Sequence, residues 1–338
     1  MRAAVVVRAD QLEFREVPLP KPGPYQALVR IEACAICNAT DVKIFHARLP
    51  FVRADSYPGI LGHEAVGTVI EADAKAKAFP IGARVLRPWA QVPGLGSFWG
   101  GFAEYGLVTD MVAAAAEGQE PPQPVHRGMQ LVPPDIEPAL ATQLVTWKEC
   151  LSYLTSLQVG GAEQVLVMGT GPVGLAMCAL ARNVFHLPDV VCLGRRETGL
   201  EMARRFGATA TVNTAEVEPY AALREIGPEG FDVVVDAAGD ADLVRLGLQV
   251  LKPDGRLGAY ATEDSDKAPW LATATDARVD RGGCDESTAH DQMLELVRNG
   301  TIDLSALITH TLPFDQLLEG LHLVETRAAL KVVITITV

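Results

Sequence analysis

The sequence predicts an α/β protein of two domains, one rich in β-strand and one built as a doubly wound parallel sheet. Three observations predict it. Up to about residue 110 the chain reads as short strands separated by Gly and Pro: "AAVVV", "QALVRIEA", "EAVGTVIEA", "ARVLRP". After "LVPPDIEPA" the pattern changes, and apolar strands alternate with helical segments, which implies parallel strands joined by crossover helices. At 338 residues the chain has the length of about two domains.

The first element, "MRAAVVVRAD", breaks at Arg8 and reads as a strand, not a secretion signal. Residues 113–130, rich in Pro, Gln and Ala, read as a surface loop or insertion. "EQVLVMGTGPVGLAMCALARNVF" is a buried strand, a glycine turn and a helix. "VVCLG" is the next strand and "TGLEMARRFGA" the helix after it. "ATVN", "FDVVVDAAG" and "GRLGAYA" continue the alternation. The last strand, "ALKVVITIT", is expected to return to the first domain. That domain then covers 1–140 and 308–338, and the second 141–307.

Charge excludes some partners. A formal net charge of −13 suits neither nucleic acid nor an anionic membrane, and leaves a small-molecule substrate as the expected partner. No apolar run reaches the ~18–20 residues that span a bilayer. The cysteines, Cys34, Cys37, Cys150, Cys178, Cys192 and Cys284, are scattered and not framed as disulfides. The expected compartment is the cytoplasm, where thiols stay reduced.

"GTGPVG" (Gly169, Thr170, Gly171, Pro172, Val173, Gly174) fits G-x-G-x-x-G in the strand–turn–helix context the motif requires. Gly169 permits the tight turn, Gly171 lets a pyrophosphate approach the backbone, and Gly174 lets the helix pack close to the strand. The next strand ends at Gly194, where NAD sites usually carry a carboxylate for the ribose 2′-hydroxyl. Here glycine leaves room, and Arg195 and Arg196 can clamp a 2′-phosphate. The expected cofactor is NADP.

"CAICNATD" offers Cys37, and "GILGHEAVG" offers His63 and Glu64. Thiolate, imidazole and carboxylate are all good zinc ligands, and a catalytic zinc uses three and keeps one position open. Adjacent residues of a regular strand point to opposite faces. His63 and Glu64 therefore both reach a metal only if the strand is irregular at its start; otherwise Glu64 stands behind the ligands.

Taken together, "CAICNATD", "GHEAVGTVIEA", "GARV", "GGFAEY" and "GTGPVG" make the chain similar, over essentially its whole length, to the medium-chain dehydrogenase/reductase superfamily. Within it, the resemblance is to the zinc-dependent alcohol and polyol branch of sorbitol, threonine and glucose dehydrogenases. The resemblance implies a GroES-like catalytic domain, a Rossmann domain, and Cys37 and His63 as zinc ligands, with Glu64 as the third or a labile one. It also implies a homodimer or homotetramer.

Three departures from the family stand out. The lobe that often holds a structural zinc reads "PWAQVPGLGSFWGG", without cysteine, so only one zinc, the catalytic one, is expected. The family's last catalytic ligand, counted back from Gly169, falls on Leu144 or Val145, which cannot bind metal. Glu149, Gln143 or a water are the alternatives for the fourth position. Glu149 could instead bond the zinc-bound water or meet the substrate. Finally, Ala39 stands where the family usually has the Ser or Thr of a proton relay. Thr40 is the obvious substitute, with Asp41 either beside it or orienting His63, and with Lys43 or His46 further along the path.

The resulting expectation is a zinc-dependent oxidoreductase moving a hydride between NADP(H) and a secondary alcohol or ketone of a polyol, sugar or cyclitol. A zinc-free quinone or enoyl reductase and a non-catalytic NADP-binding protein are the alternatives. The retained Cys37 and His63 argue against both.

Overall fold

A computed structural model describes residues 1–119, 124–261, 276–280 and 283–337. The chain divides into two compact units, Met1–Val145 with Asp303–Val338, and Thr146–Ile302.

The first unit is a GroES-like sheet domain centred on the strand Gln26–Ala35. This strand pairs antiparallel with Glu64–Ala72, Tyr105–Thr109 and the C-terminal Lys331–Thr335. The last of these lies beside Ile308–Pro313. The chain's final strand thus returns to the first unit. In this register Ala35 faces both Glu64 and Val333, and Ile36 N donates to Val332 O. Three strand ends therefore meet just before Cys37. A smaller sheet joins Arg2–Arg8, Gln11–Glu16, Gly59–Ile60 and Gly96–Ser97. Ile36, Ile44, Leu61, Phe102 and Ile334 are completely or almost completely buried in the shared core. Each such side chain contributes about 1.5–3 kcal/mol.

The second unit is a parallel sheet of Rossmann order. Its strands, Gln164–Met168, Asp189–Gly194, Ala210–Asn213, Phe231–Asp236, Leu251–Ala259 and Val279–Asp280, stand in the order third, second, first, fourth, fifth, sixth. The inner strands are apolar on both faces because helices cover both. Helix starts follow local chemistry. Pro172 and Pro219 open helices with a fixed φ, and the Glu218 and Asp240 carboxylates accept from the first turns of theirs.

Part of residues 113–130 departs from the expected loop. Met111–Ala116 is a helix, because the Asp110 carboxylate accepts from Ala113 N and the alanine run favours helix. Pro124–Arg127 forms a single turn. Residues 120–123 lie outside the described ones.

Candidate active site

The turn after Cys37 brings the site together. Residues Asn38–Val42 form one π-helical turn, which tucks Asp41 completely out of solvent. The Asp41 carboxylate accepts from Cys37 N at 2.9 Å and from Gly62 N at 3.2 Å. It therefore ties the cysteine's loop to the histidine's. Gly62 adopts φ +103°, which turns the chain sharply before the strand that begins at Glu64. This irregularity lets both neighbours face one point. One ligand atom each from Cys37, His63 and Glu64 lie within 4.8 Å of one another.

The ring of His63 lies between two carboxylates. Its Nδ1 is 3.6 Å from Asp41 Oδ1 and its Nε2 3.8 Å from Glu64 Oε1. Burial works to push the imidazole pKa down, but Asp41 and Cys37 outweigh it and hold the ring's proton well above the usual range. A metal ion bound among these three residues has to displace that proton.

Glu64 has a second partner. Lys331 Nζ donates to Glu64 Oε1 at 2.5 Å, and both side chains are buried. Burial opposes the ammonium charge, yet Glu64 and Cys37 together raise the Lys331 pKa. The donor set of one thiol, one imidazole and one carboxylate fits a zinc ion.

Cys34 separates from Cys37. It is fully buried, and burial, followed by the charges of Asp41 and Glu64, pushes its thiol pKa well up. It stays a neutral packing group.

The other expected site residues fall in several places. Thr40 and Lys43 lie on the turn that follows Cys37, both half-buried. His46 bridges Asp10 through Nδ1 and Glu325 through Nε2, the latter at 3.1 Å. Gln143 is fully buried, its amide nitrogen donating to Thr142 Oγ1 at 2.9 Å, while its Oε1 makes no hydrogen bond to a described residue. In the second unit, Tyr260 donates its hydroxyl to Glu149 Oε2 at 3.2 Å.

Two residues near the cluster escaped sequence reasoning. One is Lys331, a lone cation in an apolar strand. The other is Trp99, whose ring centre is 5.3 Å from that of His63 and whose φ of +69° is rare for a bulky residue.

The glycine turn has the form its motif predicts. Gly169 has φ +125°, and a Cβ on Gly174 would stand 2.0 Å from Gly169 O. A Cβ on Gly171 would meet none of the described residues within 4 Å. Gly171 opens the helix Pro172–Asn183, and its side-chain-free cap position leaves the first N–H groups uncapped among the described residues. An open backbone cradle at a helix N-terminus fits a pyrophosphate.

Residues 23–117 match the alcohol dehydrogenase GroES-like domain family, and residues 172–278 match the zinc-binding dehydrogenase family. The chain belongs to the zinc-dependent alcohol and polyol branch of the medium-chain dehydrogenases/reductases. Its similarity to members of that branch runs end to end. It is 28% identical to L-threonine 3-dehydrogenase of Anaeromyxobacter dehalogenans, over 94% of this chain and 93% of the relative. It is 27% identical to erythritol/L-threitol dehydrogenase of Mycolicibacterium smegmatis, over 96% and 94%. In fold it resembles alcohol dehydrogenase TADH of Thermus sp. ATN1, with a TM-score of 0.82, 24% identity and both chains covered to 100%. Among the described residues of this dehydrogenase, no helix is long and apolar enough to cross a membrane.

Proposed function

We propose that this dehydrogenase is a zinc enzyme that transfers a hydride between NADP(H) and a secondary alcohol or ketone, its substrate a polyol, sugar or cyclitol-type metabolite. The observation that carries the reading is the convergence of Cys37, His63 and Glu64 within 4.8 Å, with His63 and Glu64 buried and Cys37 partly exposed. The erythritol/L-threitol relative supports the polyol class.

Cys37 and His63 would hold the ion, with Glu64 as third ligand and Gln143, Glu149 or water as fourth. When bound, zinc acts as a Lewis acid that polarises the substrate oxygen and lowers the pKa of its hydroxyl. The chain's own groups do the rest. Asp41 fixes the His63 ring. Thr40 and Lys43 take the substrate proton outward from the turn after Cys37. His46, engaged by Asp10 and Glu325, is left out of that path. Glu149, with its Tyr260 donor, is the alternative acceptor. The Gly169–Gly174 turn seats the pyrophosphate, and Gly194 with Arg195 and Arg196 receives the 2′-phosphate. We further propose a single zinc without a structural one, a homodimer or homotetramer, and a cytoplasmic location.

Metal content by mass spectrometry on desalted protein tests the reading, together with NADP-dependent oxidation of polyols and sugars. About one zinc per chain is expected in the wild type and none in Cys37→Ala, which should lose activity while still binding NADPH. Unchanged turnover in Cys37→Ala would sink the zinc mechanism.

A further inference from the structure

The residue between the first two glycines of the turn does more than space them. At Gly194, which ends the second parallel strand, a Cβ would stand 2.6 Å from Thr170 Cγ2 and 3.1 Å from Leu200 Cδ2. At Gly199, in the first turn of the helix Glu197–Arg205, a Cβ would stand 2.4 Å from Thr170 Oγ1 and 2.9 Å from Thr170 Cβ. The Thr170 side chain is therefore seated between two glycines of the following strand–helix unit. Rotation about χ1 moves the methyl and the hydroxyl but leaves Cβ in place, so the Gly199 contact survives any rotamer. Carbon atoms do not sustain separations this short in a packed interior.

Position 194 is where an NAD site places the carboxylate that bonds the ribose 2′-hydroxyl. Here the first atom of such a side chain would collide with the Thr170 methyl. The acidic residue next in sequence, Glu197, is engaged by Arg204 at 2.8 Å and Asn213 at 3.3 Å. Arg195 and Arg196 are exposed beside the strand end.

We propose that Thr170 sets the cofactor preference, by filling the volume that a carboxylate at position 194 would need. The glycine there is imposed by the turn of the preceding unit, and the preference for a 2′-phosphate is a property of the pair Thr170–Gly194. This inference rests on the proposed NADP preference. It implies that the single change Gly194→Asp cannot recruit NAD and that removing the Thr170 side chain unlocks it.

The test is calorimetric titration of NADP+ and NAD+ into the wild type, Thr170→Ala, Gly194→Asp and the double variant, with thermal unfolding of each. The wild type is expected to favour NADP+. Gly194→Asp should unfold at lower temperature and lose NADP+ without gaining NAD+. The double variant should recover thermal stability and bind NAD+ at least about tenfold tighter than Gly194→Asp, a non-additivity expected only of side chains in contact. Thr170→Ala alone supplies the reference against which the double variant is read. A Gly194→Asp protein that binds NAD+ as well as the double variant, or is as stable as the wild type, overturns the role of Thr170 and leaves the NADP reading standing. A wild type that favours NAD+ overturns the NADP reading itself, and the inference with it.

Discussion

Lys331 Nζ stands 2.5 Å from Glu64 Oε1, joining residues 267 positions apart in the chain, with both side chains buried. Removing one member of such a pair leaves the other charge uncompensated, at a cost of about 3–5 kcal/mol. Lys331→Met is expected to destabilise metal-free protein by roughly that amount. With zinc present the loss should shrink, because the ion replaces the ammonium as the positive charge beside Glu64. Urea unfolding of both proteins, in chelator and in zinc, reads the two values. Equal losses in both conditions would mean that Glu64 does not face the ion.

Asp41 offers a different contrast. Its carboxylate accepts from Cys37 N and Gly62 N and lies 3.6 Å from His63 Nδ1. Asp41→Asn keeps an acceptor but loses the charge that steadies the imidazole. Zinc affinity is expected to fall about 10–100-fold, as when a carboxylate behind a ligating histidine is lost. Asp41→Ala should in addition cost about 1–3 kcal/mol for each backbone N–H it leaves unpaired in the interior. Competition with a chromophoric chelator gives the first quantity and urea unfolding the second. An Asn variant that holds zinc like the wild type would remove Asp41 from the support of the site.

The range of each interaction decided whether it was legible in the sequence. The glycine turn could be read because its three glycines fall within six residues, where Gly169 takes a positive φ, Gly174 packs against Gly169 O, and Gly171 leaves the backbone open. The bend before Glu64 could be read from Gly62 for the same reason. Lys331 could not, because only the sheet register, Ala35 against both Glu64 and Val333, brings it to the site. Its one sequence signal was a lysine inside "ALKVVITIT", where a solvated charge has no place. The helix Met111–Ala116 was obscured by the prolines and glutamines that come after it, although Asp110 before an alanine run is a helix start.

The two cysteines of "CAIC" should respond oppositely to replacement. The sulfur of Cys34 packs over Gly62 and Gly101, so close that a Cβ on either would stand 3.0 Å from it. Cys34→Ala is expected to keep its zinc and lose about 1 kcal/mol for the small cavity, whereas Cys34→Val overfills the same space and costs about 1–3 kcal/mol. Cys37→Ala should lose the metal. Metal content and denaturant midpoints on the three variants separate packing from ligation. Loss of zinc from Cys34→Ala would make the pair a joint metal site.

The glycine turn allows stability and ligand binding to be pulled apart. Gly171 has φ −80° and ψ 178°, extended backbone that alanine adopts freely, and a Cβ there would touch nothing among the described residues. Gly171→Ala should therefore fold at least as well as the wild type, and even gain about 0.4–1 kcal/mol from a less flexible unfolded chain. Its cost should fall on the ligand, because the new methyl occupies the space through which a pyrophosphate approaches the backbone, and NADP+ affinity should drop by about tenfold or more. Gly174→Ala is the opposite case. Its Cβ would lie 2.0 Å from Gly169 O, so helix and strand must separate, and stability and affinity should fall together. Thermal unfolding without cofactor and titration with NADP+ measure the two effects independently. A Gly171→Ala protein that binds NADP+ normally would place the pyrophosphate somewhere other than this turn.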